Sequence, residues 1–216
     1  MLKAIIFDCD GVIAETETER LKLLKALAEE KGHKGIDEKK HLKLLVGRKS
    51  VDFLRDVLGG KMSTEEAEEI AEKRRQHWED SPKKFIKEIK GIKTVCLGLS
   101  KKYEMAVAST APRRMVEATL KHLELKSYFK VVITGDEAEK AKPNPDAYLK
   151  ALKGLNVKSE ESIAIEDSDT GIAAAKAAGI RTVALRNRLY EEYGYKPDLS
   201  KADIIIEELS DLLKII

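Results

Sequence analysis

The chain opens on an apolar run, Lys3-Ala4-Ile5-Ile6-Phe7, that stops abruptly at Asp8-Cys9-Asp10-Gly11. A short β-branched and aromatic run of this kind predicts a buried parallel strand opening into a loop. The pattern then turns helical. Over residues 17–31, Leu21, Leu24, Leu27 and Ala28 share one face. Further helical pieces are expected at 38–46, 50–58 and 64–79, with Gly59-Gly60 separating the last two. Ser63 or Thr64, followed by paired glutamates, is expected to cap the 64–79 piece. No strand is expected between residues 15 and 82.

From about residue 85 short apolar runs and helical segments alternate. Strands are expected at 105–108, 131–133, 163–165, 182–185 and 204–206. Helices are expected at 92–101, 113–124, 144–154, 169–178 and 208–215. Strand and helix in alternation with short loops define an α/β protein: a parallel sheet covered by helices on both faces. The first strand belongs to this set. Residues 1–14 and 83–216 are therefore read as one α/β core, and residues 15–82 as a helical domain inserted after its first strand.

Composition narrows the partners. The 216 residues carry 40 basic and 38 acidic side chains, a net charge of +2. So even a balance gives no reason to expect nucleic-acid or membrane binding. Charged residues make up 36% of the chain, while Gln76 is the one glutamine and Asn144, Asn156 and Asn187 the only asparagines. Many ion-pairing residues and few thermolabile amides point to a thermophilic source. Cys9 and Cys96 have no metal-ligand or C-x-x-C spacing, so both are expected as small core residues in a reducing cytoplasm. No signal peptide or membrane span is expected, nor any apolar stripe that would call for an oligomer, so a cytoplasmic monomer is the expectation.

In open α/β sheets, sites form outside the carboxyl ends of the strands. Asp8 and Asp10 follow the first strand, Ser109 and Thr110 the second, Lys142 comes beyond the third, and Glu166, Asp167 and Ser168 follow the fourth. Together they supply acids, hydroxyls and an amine at one edge. That set suits phosphoryl transfer. A carboxylate can attack phosphorus to give an acyl phosphate. Phosphate and carboxylate repel, so a hard cation such as Mg²⁺, with oxygen ligands from Asp8, Glu166 and Asp167, is expected to bridge them. Lys142 can neutralise the transferring group and Ser109 can donate to a phosphate oxygen. Asp10, two residues from Asp8, can serve as the acid and base. Taken alone, Glu166-Asp167-Ser168 could equally cap the following helix.

These motifs resemble the haloacid dehalogenase superfamily: Phe7-Asp8-Cys9-Asp10-Gly11-Val12, Ala108-Ser109-Thr110, Lys142-Pro143-Asn144-Pro145-Asp146 and Ile165-Glu166-Asp167-Ser168-Asp169-Thr170-Gly171. The resemblance implies a Rossmann-like three-layer α/β/α core with an inserted helical cap. It implies Asp8 as nucleophile and Asp10 as general acid/base. It implies Mg²⁺ held by Asp8, the backbone carbonyl of Asp10 and Asp167, with Glu166 in direct or water-mediated support. Asp10, Gly11, Ser109, Thr110 and Lys142 would surround the phosphate.

Within the superfamily the chain is similar to the β-phosphoglucomutase, phosphoglycolate phosphatase and CbbY branch. The implied activity is hydrolysis of a small phosphorylated metabolite, a sugar phosphate or phosphoglycolate, through a phospho-aspartyl intermediate. The alternative is a sugar phosphomutase. By resemblance Thr16 lies at the cap hinge, and Gly47-Arg48 matches a cap segment that meets the distal phosphate in mutase relatives. Thr16, Glu17, Arg20 and Arg48 are the cap candidates for substrate contact. Arg20 stands where the mutase carries a cap histidine, which favours net hydrolysis. Asp10 and the Glu166-Asp167 pair argue against a dehalogenase, and the absence of G-x-G-x-x-G after the first strand argues against a dinucleotide site.

Four other features invite a reading. Trp78 is expected to pack within the cap. His33, His41, His77 and His122 have no ligand spacing and are read as surface or capping residues. Arg186 and Arg188 fall near the active edge. The loop 187–200, with Tyr190, Tyr193 and Tyr195, reads as too polar for core.

Overall fold

The computed structural model describes residues 1–216. Six parallel strands form its sheet: β1 (Ala4–Phe7), β4 (Glu104–Ala108), β5 (Val131–Ile133), β6 (Ser162–Glu166), β7 (Arg181–Leu185) and β8 (Ile204–Ile206). The order is β5-β4-β1-β6-β7-β8. A two-residue ribbon, β2 (Ala14–Glu15) paired antiparallel with β3 (Lys87–Glu88), lies outside the sheet. Neither ribbon strand is visible in the sequence, because two residues are too few to show a period.

Alternation along the central strands builds two different faces. Ile5, Phe7, Met105, Val107, Ile163 and Ile165 point to one side and join an apolar cluster of 28 buried residues. It includes residues of α6 (Ile92–Leu99), α7 (Arg113–His122) and α11 (Leu212–Ile215). The intervening Ala4, Ile6, Ala106, Ala108 and Ala164 face the other way. Small side chains there let α8 (Asp146–Leu155) and α9 (Asp169–Ala177) pack close against the sheet. Helices on both faces make the three-layer α/β/α architecture.

Between β2 and β3 lie four longer helices, α1 (Glu17–Glu30), α2 (Glu38–Leu45), α3 (Ser50–Leu58) and α4 (Thr64–Asp80), and one short turn, α5 (Pro82–Phe85). Leu21, Leu24, Leu42, Leu45, Phe53 and Ile70 form their own buried cluster. Ser63 caps α4: its hydroxyl accepts from Glu66 N–H and the Glu66 carboxylate accepts from Ser63 N–H. A cap of this kind stabilises a helix by about 1 kcal/mol. Asp37 caps α2, its carboxylate accepting from Lys39 N–H and Lys40 N–H.

A last short helix, α10 (Arg188–Glu192), follows β7. The loop read as too polar for core is corrected here. Tyr190, in the middle of α10, is fully buried and joins the apolar cluster of the helical block. One tyrosine among charged neighbours carries no hydrophobic period, so the sequence hid it. Arg186 and Arg188 bond to Glu207 and stay exposed, away from the site. His41 accepts from Asp37 N–H at the start of α2, as a capping residue would. No helix is long and apolar enough to cross a membrane.

Candidate active site

The first strand order reversal falls at β1, with β4 on one side and β6 on the other. The chain runs from β1 through β4 to β5 on one side, then crosses back to β6, β7 and β8 on the other, so a crevice opens at the strand ends beside β1. Asp8 leaves the end of β1, Ser109 the end of β4, and Glu166 closes β6. All three side chains are buried.

Lys142 ties Asp8 and Glu166 together. Its ammonium donates to Asp8 Oδ1 at 2.6 Å, to Glu166 Oε1 at 2.6 Å and to the Ala108 carbonyl at 3.0 Å. Asp8 is nonetheless pushed up to about 8, because burial outweighs the lysine and the Glu166 and Asp10 charges add to it. Lys142 moves up as well: burial opposes its charge, but Asp8 and Glu166 more than offset that.

Glu166 is saturated. Tyr148 donates its hydroxyl to Oε1 at 2.7 Å, and Oε2 accepts from Asp167 N–H at 3.1 Å and from the Ser168 hydroxyl at 3.2 Å. Asp167 differs, for its Oδ2 is buried with no partner. Ligand oxygens of Asp8, Glu166 and Asp167 all lie within 4.8 Å of one another. Burial and the neighbouring Glu166 and Asp8 charges push Asp167 well above the usual carboxylate range. Three acids so close, one with an unpartnered oxygen, fit a hard divalent cation.

Two glycines keep the space open. Gly11 has φ +87°, and a Cβ there would lie 1.7 Å from Asp167 Oδ2. A Cβ on Gly171 would come within 2.0 Å of Glu166 Oε1. The Ser168 hydroxyl caps α9 through Gly171 N–H at 3.1 Å. The capping and site readings of Glu166-Asp167-Ser168 therefore divide by residue: Ser168 caps, while the acids face the site.

Asp10 sits half-buried at the crevice mouth. Thr16 donates to its Oδ1, and Ser109 donates to Oδ2 at 3.4 Å. Thr110 borders the same crevice, beside Asp8, Asp10 and Lys142. The structure thus brings Asp8, Asp10, Gly11, Ser109, Thr110, Lys142, Glu166 and Asp167 to one place.

Beyond Asp10 a cavity of 230 Å³ extends between the sheet edge and the helical block. Of the cap candidates, Arg20 and Arg48 line it. Arg20 donates to both oxygens of Glu17 at 3.0 Å and also to the Arg48 carbonyl. Glu17 is buried beside Arg20 and borders the crevice of Asp8 and Asp10 rather than the larger cavity. Burial pushes it up to about 7, against the pull of Arg20. Arg48 is partly exposed and bonds to Asp56 at 2.5 Å.

Sequence reasoning missed Arg74 and Ser50. Arg74 is 5% exposed, lines the cavity and has an unpartnered Nε. Burial, followed by the Arg20 charge, pulls its guanidinium down to about 9. The buried Ser50 hydroxyl also lines the cavity without a partner. Trp78 is a partial correction. It stacks on Phe85 with ring centroids 5.8 Å apart, joins the cluster of the α/β core instead of the helical one, and forms part of the cavity wall.

This arrangement of fold and site has known counterparts. The profile of the haloacid dehalogenase-like hydrolases matches residues 5–185. The chain belongs to that family, as an enzyme of its phosphatase branch. It is 33% identical over 187 residues to the phosphorylated carbohydrates phosphatase of Thermotoga maritima, covering 84% of each chain. Its structure is similar to a mutant of CbbY from Rhodobacter sphaeroides solved with xylulose-1,5-bisphosphate. There the TM-score is 0.86 at 25% identity, covering 98% of this chain and 96% of that one. It is also similar to β-phosphoglucomutase from Clostridium difficile, with a TM-score of 0.82 at 25% identity over 98% of this chain and 93% of that one.

Proposed function

We propose that the protein is a Mg²⁺-dependent phosphatase that hydrolyses a small phosphorylated carbohydrate through a phospho-Asp8 intermediate. The observation that carries this reading is the Lys142 bridge. One buried ammonium, 2.6 Å from both Asp8 and Glu166, holds the nucleophile in place in a crevice that shares Asp10 and Thr110 with a substrate-sized cavity. Lys142 pins Asp8 Oδ1 and so orients the other oxygen for attack on phosphorus. As the ester bond breaks, Asp10 protonates the departing alcohol oxygen. Thr16 and Ser109 hold the Asp10 carboxyl in direction for that task. Asp10 then takes a proton from water, which attacks the aspartyl phosphate and frees Asp8. Ser109, Thr110 and the ammonium of Lys142 balance charge on the phosphoryl oxygens.

Asp8, the Asp10 carbonyl and Asp167 would hold Mg²⁺. When bound, the ion would offset the repulsion between carboxylate and phosphate. The free oxygen of Asp167 favours it as a direct ligand, whereas Glu166, already accepting four bonds, fits the role of anchoring Lys142. The helical block, residues 15–82, acts as the cap that encloses the substrate.

The far wall of the cavity narrows the substrate class. The cavity lining carries Arg20, Arg48, Lys49, Arg74 and Arg75 against Asp10 and Asp136, a clear cationic excess. A second anionic group on the substrate would satisfy the bare Nε atoms of Arg20 and Arg74 and the Ser50 hydroxyl. The wall therefore favours sugar bisphosphates or phosphorylated sugar acids. Arg20, tied to Glu17, offers no base to return a phosphoryl group, which favours hydrolysis over mutation. The test is release of inorganic phosphate from a panel of sugar mono- and bisphosphates, with Mg²⁺ and with EDTA. Mg²⁺-dependent release, lost in Asp8→Asn, supports the reading. Isomerised sugar phosphate without net release, or activity retained in Asp8→Asn, would sink it.

A further inference from the structure

The segment after β7 takes no part in the chemistry above, yet it joins three regions. Asn187 is buried. Its oxygen accepts from Leu189 N–H at 3.1 Å and starts α10. Its amide nitrogen donates to Glu15 Oε2 at 3.1 Å, on β2, where the chain leaves the sheet for the helical block. Three residues on, the Tyr190 ring sits fully buried in the same apolar cluster as Leu21, Leu24 and Leu45. Tyr195 packs on it, with ring centroids 5.5 Å apart. The ring is thus clamped from two sides.

The hydroxyl of Tyr190 projects the other way, into the candidate metal site. A Cβ on Gly11 would lie 2.6 Å from Tyr190 OH and 1.7 Å from Asp167 Oδ2, so both oxygens border one small space. Each is buried, and neither has a hydrogen-bond partner in the structure. An ionised carboxylate only accepts, whereas a phenol can donate, so the pair can meet in one sense alone. We infer that Tyr190 is a positioning residue: its hydroxyl donates to Asp167 and fixes that carboxylate for the divalent cation, held in place by Asn187 and the helical block. Outer hydrogen bonds of this kind orient a ligand before the ion arrives. The inference rests on the Mg²⁺ reading above.

Tyr190→Phe keeps the ring and its packing and removes one oxygen. The measurement is Mg²⁺ binding by calorimetry on full-length protein stripped with EDTA. The expected result is an Mg²⁺ Kd raised about tenfold in Y190F, with the metal-free fold unchanged by circular dichroism. Tyr195→Phe alters the neighbouring ring, whose hydroxyl bonds to Asp169 instead, and should bind Mg²⁺ as wild type does. Asn187→Ser keeps an acceptor for α10 but loses the amide to Glu15. It should weaken Mg²⁺ binding in the same direction, and it decides the question if Y190F fails to fold. Equal Kd values in wild type and Y190F, or an equal loss in Y195F, would overturn the inference while leaving the metal reading intact. A wild-type protein that takes up no Mg²⁺ would remove both.

Discussion

Lys142 and Asp8, 134 positions apart in the chain, meet at 2.6 Å in the buried floor of the site. The lysine is the one cation among Asp8, Glu166 and Asp167, so it stabilises the metal-free protein. Lys142→Met would leave Asp8 and Glu166 enclosed without a counter-charge. Breaking a buried pair on one side costs about 3–5 kcal/mol, so the variant should unfold at lower urea than wild type. The orphaned carboxyls can escape part of that cost by taking up protons. The deficit should therefore be small at pH 5 and grow towards pH 8. A deficit independent of pH would show that the ammonium does not hold these acids.

Gly11 separates a local effect on the metal site from a global one. Its φ of +87° and the 1.7 Å approach of a Cβ to Asp167 Oδ2 mean that Gly11→Ala must move the carboxylate. The backbone strain alone is about 1–2 kcal/mol. Stability should fall by about that amount, while Mg²⁺ affinity falls by about tenfold or more. Paired urea titrations and calorimetry measure both. Mg²⁺ affinity unchanged in a folded variant would count against Asp167 as a ligand.

Legibility followed chemistry and period. The run Ala4–Phe7 ends in Asp8 because a buried strand must stop where the acids begin, and both facts are written locally. Ser109, Lys142 and Asp167 are legible from their place after strands. Tyr148 and Tyr190 are hidden, because nothing local marks a tyrosine that bonds across the fold to Glu166 or sits beside Asp167 and Gly11. Arg74 did leave a trace. Ala67, Ile70, Ala71, Arg74 and Trp78 recur at three- and four-residue spacing, and they are the buried face of α4. Arg74 on that face, unlike its neighbour Arg75, was marked for the interior by position alone.

Glu17 and Asp8 predict how the metal-free protein responds to pH. Glu17 rises from 4.5 to about 7 on folding, chiefly through burial. Asp8 rises from 3.8 to about 8 for the same main reason. Between those limits the folded state holds protons that the unfolded state has released. Stability in EDTA must then fall as pH rises from about 4 to 8. The Glu17 displacement alone corresponds to about 3 kcal/mol. Denaturation at pH 5 and pH 8 should show the loss in wild type and a smaller loss in Glu17→Gln. Added Mg²⁺ should restore stability most at pH 8, where the acids are most ready to ionise. A wild-type protein more stable at pH 8 than at pH 5 in EDTA would contradict the burial of these groups.

Arg74 gives the sharpest test of the substrate class. Its guanidinium lies over the Trp78 ring at 5.8 Å, in a side chain that lines the cavity and leaves Nε buried without a partner. Arg74→Met keeps a long apolar stem against Trp78 and removes the charge. Because an unpaired buried charge is costly to hold, the variant should fold as well as wild type. Its effect should depend on the substrate. With a bisphosphate, the lost contact to a second anionic group should raise KM by about tenfold, the cost of a charge-assisted hydrogen bond. With p-nitrophenyl phosphate, which has no second anion, KM should stay nearly unchanged. In both cases kcat should hold, because Arg74 lies away from Asp8 and Lys142. An equal rise in KM for both substrates would mean that Arg74 shapes the cavity without reading a second charge.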